Sequence, residues 1–179
     1  MKDTLVIYKS IYGSTKKYAE WIRDELKADF IGIDDVNPDD LYEYDNIIIG
    51  VPVFAAKSIR MSIIKKLLLK REDTRIFVFF VSRGQISHQD LYLDLSRRLR
   101  KDMRHRLKSY VFPGEINYVK LSLKHKAALG IVFRHLKRIV PSKRDEETQK
   151  FIEFYGKHVD FTDKKAIWNL IADCRTQKT

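Results

Sequence analysis

Ser10, Tyr12, Ser14 and Thr15 place four hydroxyls within six residues, around Gly13. Hydroxyls donate to anionic oxygens, and a glycine lets the backbone approach a ligand closely, so this stretch could hold a phosphate. The chain before it, Thr4–Tyr8, is β-branched and apolar; the chain after it carries Tyr18, Ala19, Ile22 and Leu26 at helical spacing. Strand, polar loop and helix start leave backbone N–H groups available at the positive end of a helix dipole. No lysine stands in the P-loop position and no second or third glycine follows, which excludes a nucleoside-triphosphate cradle and a dinucleotide fingerprint. Hydroxyls without a fixed cation suit a terminal monophosphate. The same residues would equally serve a plain helix cap at Ser14 or Thr15, and the loop alone leaves both readings open.

Other chemistries find little support. His88, His105, His125, His135 and His158 show no metal-ligand spacing, and one cysteine, Cys174, excludes an internal disulfide or a cysteine metal cluster. Ser10, Ser14 and Ser82 have no His–Asp context that would make a triad, so no protein side chain is assigned as an acid, base or nucleophile. The third apolar run ends in Gly50-Val51-Pro52 without an aspartate to accept a phosphoryl group, which argues against a receiver domain.

The elements that must position the loop read as an alternation of strands and helices. Strands are expected at Thr4–Tyr8, Asp29–Ile33, Asn46–Val51, Arg75–Val81 and Tyr110–Ile116. Helices are expected at Ser14–Lys27, Ser58–Leu69, Gln89–Lys108 and Asp163–Cys174. Five strands separated by helices predict a doubly wound parallel sheet, α/β in class, in a single domain spanning residues 1–179. At 179 residues such a domain can bury roughly two thirds of its unfolded surface. Ligands of these sheets sit at the carboxyl ends of the strands. Two more loops fall there: Pro52, Val53, Phe54 and Ala55, apolar and aromatic, and Ser82, Arg83, Gly84 and Gln85, polar with a glycine. A phosphate cradle between those loops suits a flat ring with a phosphate tail. No apolar run approaches the ~20 residues that span a bilayer, and Asp3 followed at once by a strand does not read as a signal peptide. A soluble, cytoplasmic protein is expected.

Ser10-Ile11-Tyr12-Gly13-Ser14-Thr15 after the first strand resembles the FMN phosphate loop of flavodoxins, and the element order over residues 1–116 is similar to theirs. The resemblance implies strand order 2-1-3-4-5. It also implies FMN phosphate on Ser10–Thr15 and an isoalloxazine ring between residues 52–55 and 82–85. Two departures stand out: no obvious Trp and Tyr pair flanks the ring, and flavodoxins are usually acidic.

This chain carries a net charge of +11, almost all of it in the second half. Residues 1–89 balance at +1, residues 90–179 at +10, and Ile116–Arg144 holds eight Lys or Arg with no acid. Such a patch needs an anionic partner. Drawn as a helix, it sets Leu129, Val132, Phe133, Leu136 and Val140 on one face and Lys124, Arg134, Lys137 and Arg138 on the other. That pattern fits a helix lying on anionic lipid, and equally an amphipathic helix packed on the sheet edge. Nucleic acid is disfavoured because the basic segments lack repeated aromatics or a groove-reading motif. A basic insertion over about residues 117–158, between Phe112–Tyr118 and Val159–Asp163, resembles the menaquinone-dependent protoporphyrinogen oxidase branch of the superfamily. Three functions therefore stand at this point. The first is an FMN oxidoreductase passing electrons from porphyrinogen to quinone at the inner membrane face. The second is an electron carrier without its own substrate, and the third is a flavin-free interaction module.

Overall fold

A computed structural model describes residues 2–53, 56, 59, 61–70, 73–82, 87–119 and 121–176. Five strands, β1 (Lys2–Tyr8), β2 (Asp29–Gly32), β3 (Tyr44–Pro52), β4 (Arg75–Ser82) and β5 (Leu107–Pro113), form one sheet in the order β2-β1-β3-β4-β5. Every neighbouring pair is parallel, as the sequence predicts. The strands alternate strictly between two cores. Leu5, Ile7, Ile47, Ile49, Ile76, Val78 and Phe80 face one way, where they meet Ile64 and Leu68 of α2 (Met61–Lys70) and Leu95 of α3 (His88–Arg97). Val6, Ile48, Phe77, Phe79 and Phe112 face the other way. There they meet Tyr18, Ala19 and Ile22 of α1 (Ser14–Leu26) and Leu170, Ile171 and Cys174. Central strands buried on both faces explain runs such as Ile47-Ile48-Ile49, in which every residue is apolar.

Three expected boundaries are corrected. The helix read over Gln89–Lys108 stops at Arg97, a 3-10 run spans Lys101–Arg106, and Leu107 already begins β5. The four-residue rhythm misled because Leu95, Leu99, Met103 and Leu107 all reach the same core although the backbone between them changes type. The fifth strand accordingly lies earlier than Tyr110–Ile116: it ends at Pro113, and after Gly114 the chain starts a separate strand, β6 (Glu115–Asn117). The final helix expected from Asp163 opens as a 3-10 turn, Lys164–Ile167, capped by the Asp163 carboxylate, before α6 (Trp168–Arg175). Ser58, expected to start the second helix, lies outside the described residues.

Between β5 and the final helix, β6 pairs antiparallel with β7 (His158–Asp160), matching Asn117 to His158. This ribbon closes a segment holding α4 (Leu123–Lys137) and α5 (Glu146–Phe154), which carries its own small aromatic core. Phe133 stacks on Tyr155 at 3.9 Å, and the Tyr118 and Tyr155 hydroxyls are hydrogen bonded at 3.1 Å.

β3 and β4 come close at Gly50. A Cβ added there would lie 2.1 Å from the Phe79 ring, which is fully buried and cannot withdraw. Gly50→Ala is expected to lower stability by about 1–3 kcal/mol through overpacking. Urea unfolding checks this, and an unchanged midpoint would show that the ring has room.

Candidate functional site

The loop between β1 and α1 is built around Gly13, whose φ of +106° is strained for any side-chain-bearing residue. Gly13 N–H donates to the Ser10 hydroxyl at 3.1 Å and so closes the turn. No side chain caps α1, so the helix presents first-turn N–H groups without an intrahelical partner. Ser14 and Thr15 are buried, and the Ser14 hydroxyl accepts from Glu115 N–H at 3.1 Å, tying the loop to the start of β6. The simple cap by Ser14 or Thr15, left open by the sequence, is not formed.

In front of this loop lies a cavity of about 370 Å³ at the carboxyl ends of the strands. Of the expected site residues, Ile11, Tyr12, Ser14, Thr15, Pro52, Val53 and Ser82 line it, while Ser10 and Gly13 shape the loop behind. Phe54, Ala55, Arg83, Gly84 and Gln85 lie outside the described residues. Val81, which opens the third of the expected loops, lines the cavity too; sequence reasoning missed Gly114 as well as Leu121, His125, Ala128 and Leu129, which the insertion brings over it as a roof. Gly114 had a signal, since it follows the fifth strand at the same sheet edge; the roof had none.

The insertion helix also turns differently from the expected arrangement. Leu129, Phe133 and Leu136 do face inward, half-buried, but Val132 and Val140 are 45% and 58% exposed. Leu123 and Ile131, 83% and 63% exposed, stand with Lys124, Arg134 and Arg138 on the outer surface. The outward face is therefore mixed apolar and cationic: Ile131 stands among the basic residues, as its place on the helix predicts, and Leu123, Val132 and Val140 are exposed as well.

A second cleft, of about 620 Å³, opens at the amino ends of the strands. Its central cation is committed: Arg75 donates to the side chain of Asn46 and to the carbonyls of Asp173, Cys174 and Thr176, capping the end of α6. That cleft is accordingly structural in its chemistry, and the cavity at the carboxyl edge is the better site.

A parallel sheet of order 2-1-3-4-5, with a hydroxyl- and glycine-rich loop leading into an uncapped helix at its carboxyl edge, defines the flavodoxin class of α/β proteins. The chain belongs to the flavodoxin-domain family, which it matches over residues 5–139, a span that includes α4. An uncharacterized protein of Methanocaldococcus jannaschii is 34% identical over 110 residues, covering 60% of this chain and 67% of that one. Among solved structures, a flavodoxin from the domain Archaea aligns over 97% of this chain and 99% of its own, with 15% identity and a TM-score of 0.47. The two-electron reduced flavodoxin of Megasphaera elsdenii aligns over 62% and 82%, with 19% identity and a TM-score of 0.46. A flavoprotein of Lactobacillus acidophilus in complex with FMN aligns over 63% and 93%, with 24% identity and a TM-score of 0.37.

The ribbon beneath the roof is held to α1 by a charged strut. Lys17 Nζ donates to Asp160 Oδ2 at 2.8 Å and to the Thr162 hydroxyl at 2.7 Å, and Thr162 N–H donates to Asp160 Oδ1 at 2.9 Å. The hydrogen bond from Lys17, with those from Thr162, lowers the Asp160 carboxyl from the ordinary 3.8 to about 2. The unfolded chain takes up this proton near pH 4 and the folded chain only near pH 2, so the strut stabilises above pH 4 and is lost as pH falls to 2. Asp160→Asn should flatten that part of the stability curve while leaving its slope above pH 5 unchanged. Denaturant unfolding at pH 6, 4 and 3 measures it, and an equal loss of stability at all three would contradict the assignment.

Proposed function

We propose that this chain binds FMN, with the phosphate in the Ser10–Thr15 loop and the ring in the adjoining cavity, and works as a redox protein. One observation carries the reading: the cavity opens onto an uncapped helix N-terminus at the point where strand order reverses. The residues present fit the group. The Ser10 and Ser14 hydroxyls each accept a backbone N–H, which leaves each hydroxyl proton to donate to a phosphate oxygen. Pro52, Val53 and Val81 supply apolar wall and keep water from the ring, and 370 Å³ lies within the range of small-molecule sites. When bound, FMN supplies reversible electron transfer; the protein supplies binding, orientation and electrostatics. On sequence grounds Phe54, Ala55, Arg83, Gly84 and Gln85 complete the ring contacts.

The finer reading is oxidation of a porphyrinogen with a quinone as acceptor, at an anionic membrane surface. The observation that favours it over a substrate-free carrier is the roof: its inner side borders the cavity, and its outer side exposes leucine, isoleucine and valine among lysines and arginines. An apolar macrocycle bearing carboxylates needs both kinds of contact, and so does docking on anionic lipid. Each cation near such a surface contributes about 1 kcal/mol, so a handful suffices for peripheral binding. Among the described residues no helix is long and apolar enough to cross a membrane.

Titration of apo-protein with FMN, followed by flavin fluorescence, tests the cofactor reading. Ser10→Ala and Thr15→Ala should each weaken binding by about 1.5–3 kcal/mol, as for a charge-assisted hydrogen bond. Gly13→Val should abolish binding with the fold retained. A wild-type chain that binds no flavin would end this reading. An anaerobic assay with protoporphyrinogen and menaquinone decides the reaction: flavin reduced by dithionite but never by porphyrinogen leaves the carrier. Sedimentation with anionic and neutral vesicles checks docking. Loss of binding is expected when Lys124, Arg134, Lys137 and Arg138 all become Glu, and equal binding to both vesicle types would remove the electrostatic argument.

A further inference from the structure

We propose that the insertion is a working part of the flavin site: His125, acting through Tyr12, latches the roof helix to the phosphate loop, so that filling the loop and closing the roof form one coupled equilibrium. The proposal rests on the FMN reading above and goes beyond it, since neither loop homology nor charge assigns any role to this histidine.

Tyr12 sits at the centre of the phosphate loop, and its hydroxyl is hydrogen bonded to His125 Nδ1, 113 residues away in sequence. Their rings meet edge to face, with centroids 5.9 Å apart and planes at 71°. The imidazole is itself fixed at the start of α4. Ser122, the N-cap, accepts from His125 N–H at 3.4 Å, and its hydroxyl lies 3.2 Å from the same Nδ1. Tyr12 and His125 both line the cavity, as do Ala128 and Leu129 one turn further along the helix.

A contact of this size matters because α4 is weakly held. No residue of α4 is fully buried, so its opening free energy sits at the low end for this structure, where one hydrogen bond shifts the population of the closed form. Among the described residues, other ties run to the end of α5 through the Phe133–Tyr155 stack, and to the chain just before α4 through Lys126, which donates to the Val119 carbonyl. Neither reaches the phosphate loop. A phosphate that orders residues 10–15 fixes Tyr12 and thereby favours the closed roof. By reciprocity, the latch orders the loop in advance and tightens phosphate binding. His125 is thus a positioning residue, acting through Tyr12.

The test uses the full chain stripped of flavin, with FMN as the probe. Two readouts are needed: the FMN dissociation constant by fluorescence titration, and amide hydrogen exchange over residues 122–137 with and without FMN. Tyr12→Phe, which removes only the hydroxyl, and His125→Ala should each weaken FMN binding roughly three- to tenfold, the range of one net hydrogen bond. The double variant should bind no more weakly than the weaker-binding single, because both changes break the same contact. His125→Asn, whose side-chain amide reaches the place of Nδ1, should stay near wild type. In the wild type FMN should slow exchange across α4; in His125→Ala it should not. Additive losses, unchanged affinity in the single variants, or FMN binding with no protection of α4 would each overturn the latch while leaving the cofactor reading intact. A wild-type chain that binds no FMN would overturn the cofactor reading and the coupling together. Thermal melts confirm folding, and Tyr12→Phe alone decides the matter should the His125 variants fail to fold.

Discussion

A parallel sheet sends the carboxyl end of every strand to one edge, and that constraint governs this molecule. Because the chain moves from β1 to β2 in one direction and then crosses to β3 in the other, α1 lies on one face of the sheet while α2 and α3 lie on the opposite face. The edge between β1 and β3 is left uncovered by the two crossovers, and the positive end of α1 points at it. The position of α1 is secured by Tyr18, whose side chain is wholly buried. Its hydroxyl donates to the Pro113 carbonyl at 2.8 Å and accepts from Asp163 N–H at 3.0 Å. One phenol thus joins the helix that begins at the site, the end of the last sheet strand and the entry to the final helix. Burial pushes its pKa up to about 12, because a phenolate in this position would be desolvated beside Asp163 and Asp160.

Much of the fold was legible because the core is two-sided. Ile47, Ile48 and Ile49 could not satisfy a half-exposed strand, and the alternation of such runs with helical spacings left few topologies open. Periodicity failed where burial and backbone type parted company. Leu95, Leu99, Met103 and Leu107 keep helical spacing through a 3-10 run and into a strand, since core contact depends on where a side chain lands and not on how the backbone brought it there. Pro113 and Gly114 were the local marks of the true end of β5, and the apolar residues on either side of them obscured it.

The site was legible in its local part alone. Residues 10–15 are contiguous, so their composition announces the loop, and the neighbouring residues 52, 53 and 82 follow from strand ends. His125 could not be read in the same way. Its helix shows an apolar and a basic side but nothing that says which element it will cover, and the contact with Tyr12 spans 113 positions. The ribbon that swings it there depends on pairing of three residues with three, too short to register as a pattern.

The insertion also resolves a tension in the charge distribution. A site for a phosphate gains from nearby cations, yet among the described residues the lysines flanking the loop turn to acids: Lys9 lies 3.5 Å from Asp34, Lys16 3.9 Å from Glu20, and Lys17 is held by Asp160. The excess positive charge sits instead on α4 and its continuation, where Lys124, Arg134 and Arg138 are exposed on the outer surface, while the α4 residues that line the cavity are His125, Ala128 and Leu129. Within the ~8 Å screening length of physiological salt such charges act on whatever approaches the outer face of the insertion. A cationic outer face therefore attracts anionic surfaces on that side, while the uncapped start of α1 offers its N–H donors on the cavity side. Separating the two tasks lets the loop discriminate by hydrogen-bond geometry and the roof by charge, which a single cluster of lysines around the loop could not do.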